Sequence, residues 1–162
     1  MSRLDSAIAR LTAQKLCLDS AAVAIRGLPG PVLELGLGNG RTYDHLRVVL
    51  PDRAIYAFDR QCAAAELSTP PKARLMLGEI PALLRAQRPR FAGRVALAHL
   101  DLGAGSAAMT AGNLAGVVPA LLPLLRAGAR VLSDQPLAAA DLTECVLPPG
   151  VAAGRYFSYR RI

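Results

Sequence analysis

The chain has 162 residues, which favours one domain because two cores of half that size would each bury little surface. Hydrophobic residues make up 52% and charged residues 19%, a balance that excludes an intrinsically disordered chain. The formal net charge is +7, and nearly all basic side chains are arginine, with lysine only at Lys15 and Lys72. This charge is compatible with a compositional bias or with an anionic partner.

The cysteines and the apolar segments indicate the cellular compartment of the protein. Cys17, Cys62 and Cys145 lie far apart and form no C-x-x-C pair, which argues against a disulfide framework and against a structural zinc site. No basic segment followed by an apolar run opens the chain, so no signal peptide is predicted. The longest nearly uncharged stretch, 114–125, is too short for a bilayer, which takes about 20 apolar residues. We expect a cytoplasmic protein with no metal site and no membrane contact.

An N-terminal helix is predicted within residues 1–27, where apolar side chains recur at alternating steps of about four and three. Ser2 and Asp5 have the spacing of a capping box, and the segment 27–31, rich in glycine and proline, ends the helix. Lys15 is assigned to the same apolar stripe. The stripe can pack against a sheet, the favoured interpretation, or join two chains in a homodimer through residues 2–26.

Beyond this helix, short apolar runs alternate with helical patterns. Predicted strands cover 32–35, 54–58, 74–77, 94–100 and 130–133, and 143–147 with 155–160 form a closing antiparallel pair. Predicted helices cover 42–50, 61–67, 81–88 and 114–126, the last with Gly128 as its C-terminal glycine. Such alternation requires parallel pairing, so we predict a single α/β domain with a doubly wound, Rossmann-like sheet over residues 31–162. Ligands of such sheets bind beyond the carboxyl ends of the strands.

The segment ELGLGNG, Glu34 to Gly40, follows the first strand and is the most informative in the chain. Its three glycines at alternate positions let the backbone turn sharply and approach a ligand. The order strand, loop, helix also directs free backbone N–H groups at that ligand. Arg41 stands where a dinucleotide fingerprint needs its third glycine, so a nicotinamide oxidoreductase is a disfavoured alternative.

Acidic residues follow the next two strands. Asp59 can accept hydrogen bonds from both hydroxyls of a ribose, or it can cap the helix predicted after it. Glu79 can accept the exocyclic amine of an adenine while Ile80 packs on the ring. Alternatively, Glu79 is a first-turn carboxylate that interacts with the helix dipole.

These residues, in this order, resemble the class I S-adenosylmethionine-dependent methyltransferases, and in particular a small bacterial group of them. The similar segments are VLELGLGNGRTYDHL, AIYAFDR, LMLGEI, VALAHLDLG and LLPLLRAGARVLSDQP, which span about residues 31–136. The resemblance implies S-adenosyl-L-methionine as the cofactor. It implies the following site: Glu34, Gly36, Leu37, Gly38, Asn39 and Gly40 by the methionine moiety, Asp59 and Arg60 by the ribose, Gly78, Glu79 and Ile80 by the adenine, and Asp101 by the methyl group.

The acceptor of the methyl group is left open by this resemblance. Residues 135–142 leave little room for the long helix that normally follows the fifth strand, and no substrate domain is appended. A small-molecule acceptor is favoured, with Asp101 the candidate for contact with it. His99 is favoured as a core residue over a general base.

Two further alternatives concern partners. Arg85, Arg88, Arg90 and Arg94 cluster near one helix end, where a solvated basic face is favoured over a contact with RNA. The short chain also permits a second function, a non-catalytic module that binds the nucleoside as a subunit of a complex.

Overall fold

The structure is a computed structural model that describes residues 2–103 and 107–162, with the side chains of 107–110 outside the description. Its first helix, α1, spans Arg3–Ala24. The predicted capping box is confirmed: the Ser2 hydroxyl accepts the Asp5 N–H at 3.0 Å, and the Ser2 N–H donates to the Asp5 carboxylate at 2.9 Å. Lys15, however, is exposed and pairs with Asp19, and its neighbour Gln14 is the buried polar residue of this helix.

Within the described residues, seven strands and four more helices follow. The strands are β1 (Val32–Leu35), β2 (Ile55–Asp59), β3 (Leu75–Leu77), β4 (Val95–Leu100), β5 (Leu125–Ser133), β6 (Leu142–Glu144) and β7 (Phe157–Arg161). The helices are α2 (Arg41–Val49), α3 (Ile80–Ala86), α4 (Arg88–Phe91) and α5 (Ala107–Leu121). Short 3-10 turns lie at Glu66–Ser68, Lys72–Arg74 and Leu122–Leu124.

The strands form one sheet in the order β3-β2-β1-β4-β5-β7-β6. The first five are parallel, and β7 pairs antiparallel with β5 and with β6, which confirms the predicted architecture. The strand order reverses between β1 and β4, so the loops that leave these strands diverge and open a crevice at their carboxyl ends.

Alternate residues of each strand face opposite sides of the sheet. Leu33 and Leu35 of β1 belong to the apolar core that α3 and α5 cover. Val32 belongs to the second core, on the side of α1 and α2, and Glu34, two residues later, faces that side too. His99 of β4 lies directly opposite Glu34 in the parallel register. The pleat and the register therefore place a carboxylate beside an imidazole on the α1–α2 side.

Two predicted helices are wrong in part. Residues 61–67 form no α-helix: most of their side chains are exposed, Leu67 by 87%, and Ala64 packs against the second core from an irregular loop. The helix predicted to reach residue 126 ends at Leu121, and the chain enters β5 at Leu125 after a 3-10 turn. Gly128 therefore lies inside β5, near a shift of register against β4, and does not end a helix. No helix of residues 2–103 and 107–162 is long and apolar enough to span a membrane.

Candidate functional site

A cavity of about 450 Å³ lies beyond the carboxyl ends of the parallel strands, where the crevice was expected. Seven of the predicted site residues line it: Gly36, Gly38, Asp59, Arg60, Glu79, Ile80 and Asp101. The fold thus brings the ends of β1, β2 and β4 and the start of α3 around one space.

The glycine bend and the acid after β2 are in direct contact. The Gly38 N–H donates to Asp59 Oδ2 at 3.0 Å, and the Arg60 N–H donates to Oδ1 at 2.6 Å. Residues 60–65, all described, form no helix, so the alternative role of Asp59 as a helix cap is wrong. The two backbone donors hold the carboxylate at the cavity edge beside the loop.

Close packing explains the first glycine of the bend. Gly36 has φ +90°, and a Cβ added there would lie 2.2 Å from the Asp101 carbonyl oxygen. Within the described residues, a Cβ at Gly38 would meet nothing within 4 Å, so the backbone at Gly38 faces open space. The bend is therefore packed tightly against β4 on one side and accessible to a ligand on the other.

Glu79 stands at the rim as the N-cap residue of α3, but its side chain makes no capping hydrogen bond in the described part of the chain. Its carboxylate faces Arg60, with Oε1 3.2 Å from Nε, and both side chains are more than half exposed. An exposed ion pair of this kind contributes about 0–1 kcal/mol, so a ligand can displace either partner at small cost.

A second cavity, of about 250 Å³, lies between α1 and the glycine bend. It shares Gly36, Gly38, Asp101 and Gly103 with the larger cavity, and Leu37 and Asn39 line it as well. Asp101 therefore stands where the two spaces meet.

Three predicted contacts, Glu34, Gly40 and Gly78, line neither cavity. Gly40 precedes α2 with φ +85°, and Gly78 donates its N–H to the Asp59 carbonyl at 2.9 Å, so both support the loops. Their contact with a ligand, like that of Glu34, stays a prediction.

Glu34 lies beneath the cavity floor and is fully buried. Its Oε2 is 2.7 Å from His99 Nδ1, and its Oε1 accepts a hydrogen bond from the Thr42 hydroxyl. The other ring nitrogen of His99 meets the hydroxyl of Tyr156, also fully buried. Both oxygens of the carboxylate are thus occupied by protein groups.

The charges around His99 favour its protonated form. Burial on its own lowers the pKa of the imidazole, but the charge of Glu34 and the hydrogen bond with it outweigh burial, and the pKa is raised. The carboxyl groups of Asp101 and Asp134 add to this rise. Asp134 itself has a raised pKa, first because of burial and then because of the charge of Asp101. Its Oδ1 is buried without a hydrogen-bond partner among the described residues.

One wall of the larger cavity is formed by helix α5, none of whose residues was predicted to belong to the site. Gly112, Asn113, Gly116 and Val117 line it at the spacing of one helical face. Small residues and one asparagine in an otherwise apolar helix were the available signal. Pro81, Leu102 and Gly103, also missed, are among the described residues that line it.

The cavity fits the cofactor that the resemblance implies. Its volume lies within the range of about 300–1,000 Å³ that is usual for small-molecule sites. It joins a fixed carboxylate, exposed glycine backbone and apolar walls at Ile80 and Val117, which suits a nucleoside with vicinal hydroxyls. In the chain as described, no three His, Cys, Asp or Glu side chains are placed to hold a metal ion.

The strand order, the glycine bend after β1 and the acid after β2 define a Rossmann-like enzyme that binds a nucleoside cofactor. The sequence model described as S-adenosyl-L-methionine methyltransferase matches residues 1–161, and the chain belongs to that family. The protein is thus a methyltransferase, and its cofactor is S-adenosyl-L-methionine.

Solved structures agree with this assignment. An S-adenosyl-L-methionine methyl transferase from Silicibacter pomeroyi DSS-3 is 42% identical, with a TM-score of 0.95, over 100% of this chain and 99% of that one. The antibiotic-resistance methyltransferase Kmr is 18% identical (TM-score 0.53, 86% of this chain, 90% of that one). A 16S rRNA (adenine(1408)-N(1))-methyltransferase from Catenulisporales acidiphilia is 12% identical (TM-score 0.54, 90% and 89%). The last two share the fold alone. No curated protein matches the chain.

Proposed function

We propose that the chain works as one domain that binds S-adenosyl-L-methionine in the larger cavity and methylates a small molecule. One observation carries the placement of the cofactor: the Gly38 N–H and the Asp59 carboxylate meet at 3.0 Å on the edge of that cavity. Asp59 would bind the ribose hydroxyls beside Arg60. Glu79 and Ile80 would border the adenine, and Asp101 the methyl group.

The chemistry makes few demands on the protein. A sulfonium carries its own activated leaving group, so the enzyme mainly has to align the acceptor with the methyl group. Proximity and orientation can supply about 7–11 kcal/mol of such a barrier. A site of backbone groups and fixed carboxylates, without a nucleophile, is sufficient for this task.

The position of the arginine cluster favours a small acceptor over RNA. Arg94 directly precedes β4, at the edge of the sheet opposite the cavities. Arg90 lies over the Tyr56 ring, 4.5 Å from its centroid, and donates to the Tyr56 hydroxyl at 2.8 Å. A polyanion bound by these side chains would therefore lie at the far end of the strands from Asp101.

Calorimetric titration with S-adenosylhomocysteine tests the cofactor site. The unsubstituted chain should bind, and Asp59→Asn should weaken binding by about 1.5–3 kcal/mol, the contribution of hydrogen bonds to a charged group. Asp52→Asn, in an exposed turn, is the matched control and should bind normally. Equal affinity of the Asp59 variant would remove Asp59 from the site, and no binding by the unsubstituted chain would exclude the proposal.

Labelled S-adenosyl-L-methionine tests the acceptor class. The enzyme is incubated with a small-molecule extract and, separately, with total RNA. Label is expected in the small-molecule fraction. Label in RNA alone would contradict a small acceptor, and label in neither fraction would favour the non-catalytic module.

The proposal extends to assembly and location. Leu18 and Ala22 of the α1 stripe are buried in the chain's own core, but Leu4 and Ile8 are 69% and 54% exposed. The first two turns of α1 would join two copies, and a monomeric mass in light scattering at micromolar concentration would refute this. The bacterial relative and the free cysteines support the cytoplasm of a bacterium.

A further inference from the structure

Asp101 owes its orientation to a residue of the N-terminal helix. Gln14 of α1 donates from Nε2 to Asp101 Oδ2 at 3.0 Å, across 87 residues of sequence. Gln14 is only 3% exposed, whereas Asp101 lies at the junction of the two cavities. The hydrogen bond holds one oxygen of the carboxylate and thereby limits the rotation of the side chain.

Gln14 is in turn held by a buried chain of polar groups. Its side chain also faces the hydroxyl of Tyr156, which meets His99 Nε2. His99 Nδ1 lies 2.7 Å from Glu34. Glu34, His99 and Tyr156 are all fully buried. This network of polar groups thus runs from the centre of the sheet to the edge of the cavities. It involves β1, β4, the segment before β7 and α1.

A hydrophobic core does not require these residues. Taking a carboxylate and an imidazole out of water is costly, and apolar residues of similar size often stabilise a core as well or better. A fully hydrogen-bonded network instead makes the position of each member rigid. The member at the end of this network is Asp101, which faces the cavities.

We infer that Gln14, supported by Tyr156 and His99, is a positioning residue that fixes the Asp101 carboxylate for contact with the cofactor. The inference rests on the proposed cofactor site. This role of Gln14 makes α1 part of the active site, although α1 borders the smaller cavity at one end only. Fixing a charged group before the ligand arrives avoids the cost of orienting that group during binding.

A double-mutant cycle tests this role. Gln14→Met keeps the length of the side chain but removes the donor, and Asp101→Asn removes the charge. We expect Gln14→Met to raise the Kd for S-adenosyl-L-methionine up to about tenfold, because the freed Asp101 side chain must then be ordered during binding. In the Asp101→Asn background, Gln14→Met should change Kd less than about twofold, because no anchored carboxylate remains.

Controls separate positioning from folding. Lys15→Met changes the next residue of α1, which pairs with Asp19 on the surface, and should leave Kd unchanged. Tyr156→Phe removes the hydroxyl beneath Gln14 and should weaken binding in the same Asp101-dependent way, and thermal unfolding reports whether each variant is folded. The inference would be overturned if Gln14→Met raised Kd by the same factor with and without Asp101→Asn, or if Gln14→Met left Kd unchanged. Either result would leave the proposed cofactor site intact. No binding by the unsubstituted chain would overturn both.

Discussion

The buried pair of Glu34 and His99 gives the most direct test of how the sheet is held together. Both side chains are fully buried, and Glu34 Oε2 lies 2.7 Å from His99 Nδ1. Glu34→Gln keeps the size of the side chain and an oxygen that can accept the Thr42 hydroxyl, but it removes the negative charge that raises the pKa of the His99 ring. Removing one partner of a buried pair costs about 3–5 kcal/mol, because the other charge is left uncompensated.

This loss is large for a domain whose free energy of unfolding is about 5–15 kcal/mol. Urea unfolding at neutral pH, followed by far-UV circular dichroism because the chain has no tryptophan, would measure it. Glu66→Gln is the matched control: Glu66 is exposed in a 3-10 turn, and its substitution should change stability by about 0.5 kcal/mol or less. A loss below about 1 kcal/mol for Glu34→Gln, the level of a surface pair, would refute the reasoning.

Two further predictions concern pH and the glycine bend. Because the folded-state pKa of His99 is raised, its stabilising contribution is complete below the unfolded value of about 6.5 and is lost as the pH rises through the folded value. The free energy of unfolding, measured in urea, should therefore fall over that interval, and the fall should be smaller in Glu34→Gln; equal pH profiles would contradict it. Gly36→Ala should cost more stability than Gly154→Ala, because both positions have positive φ but only Gly36 meets a backbone oxygen, that of Asp101, at 2.2 Å. Equal thermal unfolding temperatures for the two variants would show that the contact at Gly36 relaxes freely.

Local sequence determined the strands, the rim residues and the order in which they follow one another. Val32–Leu35 is a short, mostly apolar run that stops at Gly36, and a run of this length before a glycine is typical of a buried strand followed by a turn. Asp59 could be placed at a strand end for the same reason, and parallel pairing then brings it to the same edge of the sheet as the glycine bend. The cofactor class was implied by the resemblance that these segments, in this order, bear to a known family.

The wrong predictions fall where the local preference of a segment and its packing in the fold disagree. Residues 61–67 have a composition that permits a helix, but most of their side chains are exposed, Leu67 by 87%, so little apolar contact stabilises one. The helix expected to reach residue 126 ends at Leu121 because β5 takes Leu125 into the sheet. In both places contacts with the sheet determined the conformation, and those contacts cannot be inferred from a segment of a few residues.

The sequence by itself determined that a glycine bend and an acid meet at the rim of a parallel sheet, since strand period and turn chemistry are properties of neighbouring residues. Only the tertiary structure decided that Glu34 faces His99 beneath that rim. It also decided that Asn113 of α5 lines the cavity and that Gln14 hydrogen-bonds Asp101. Those contacts join residues tens of positions apart, and their geometry depends on strand register and helix packing.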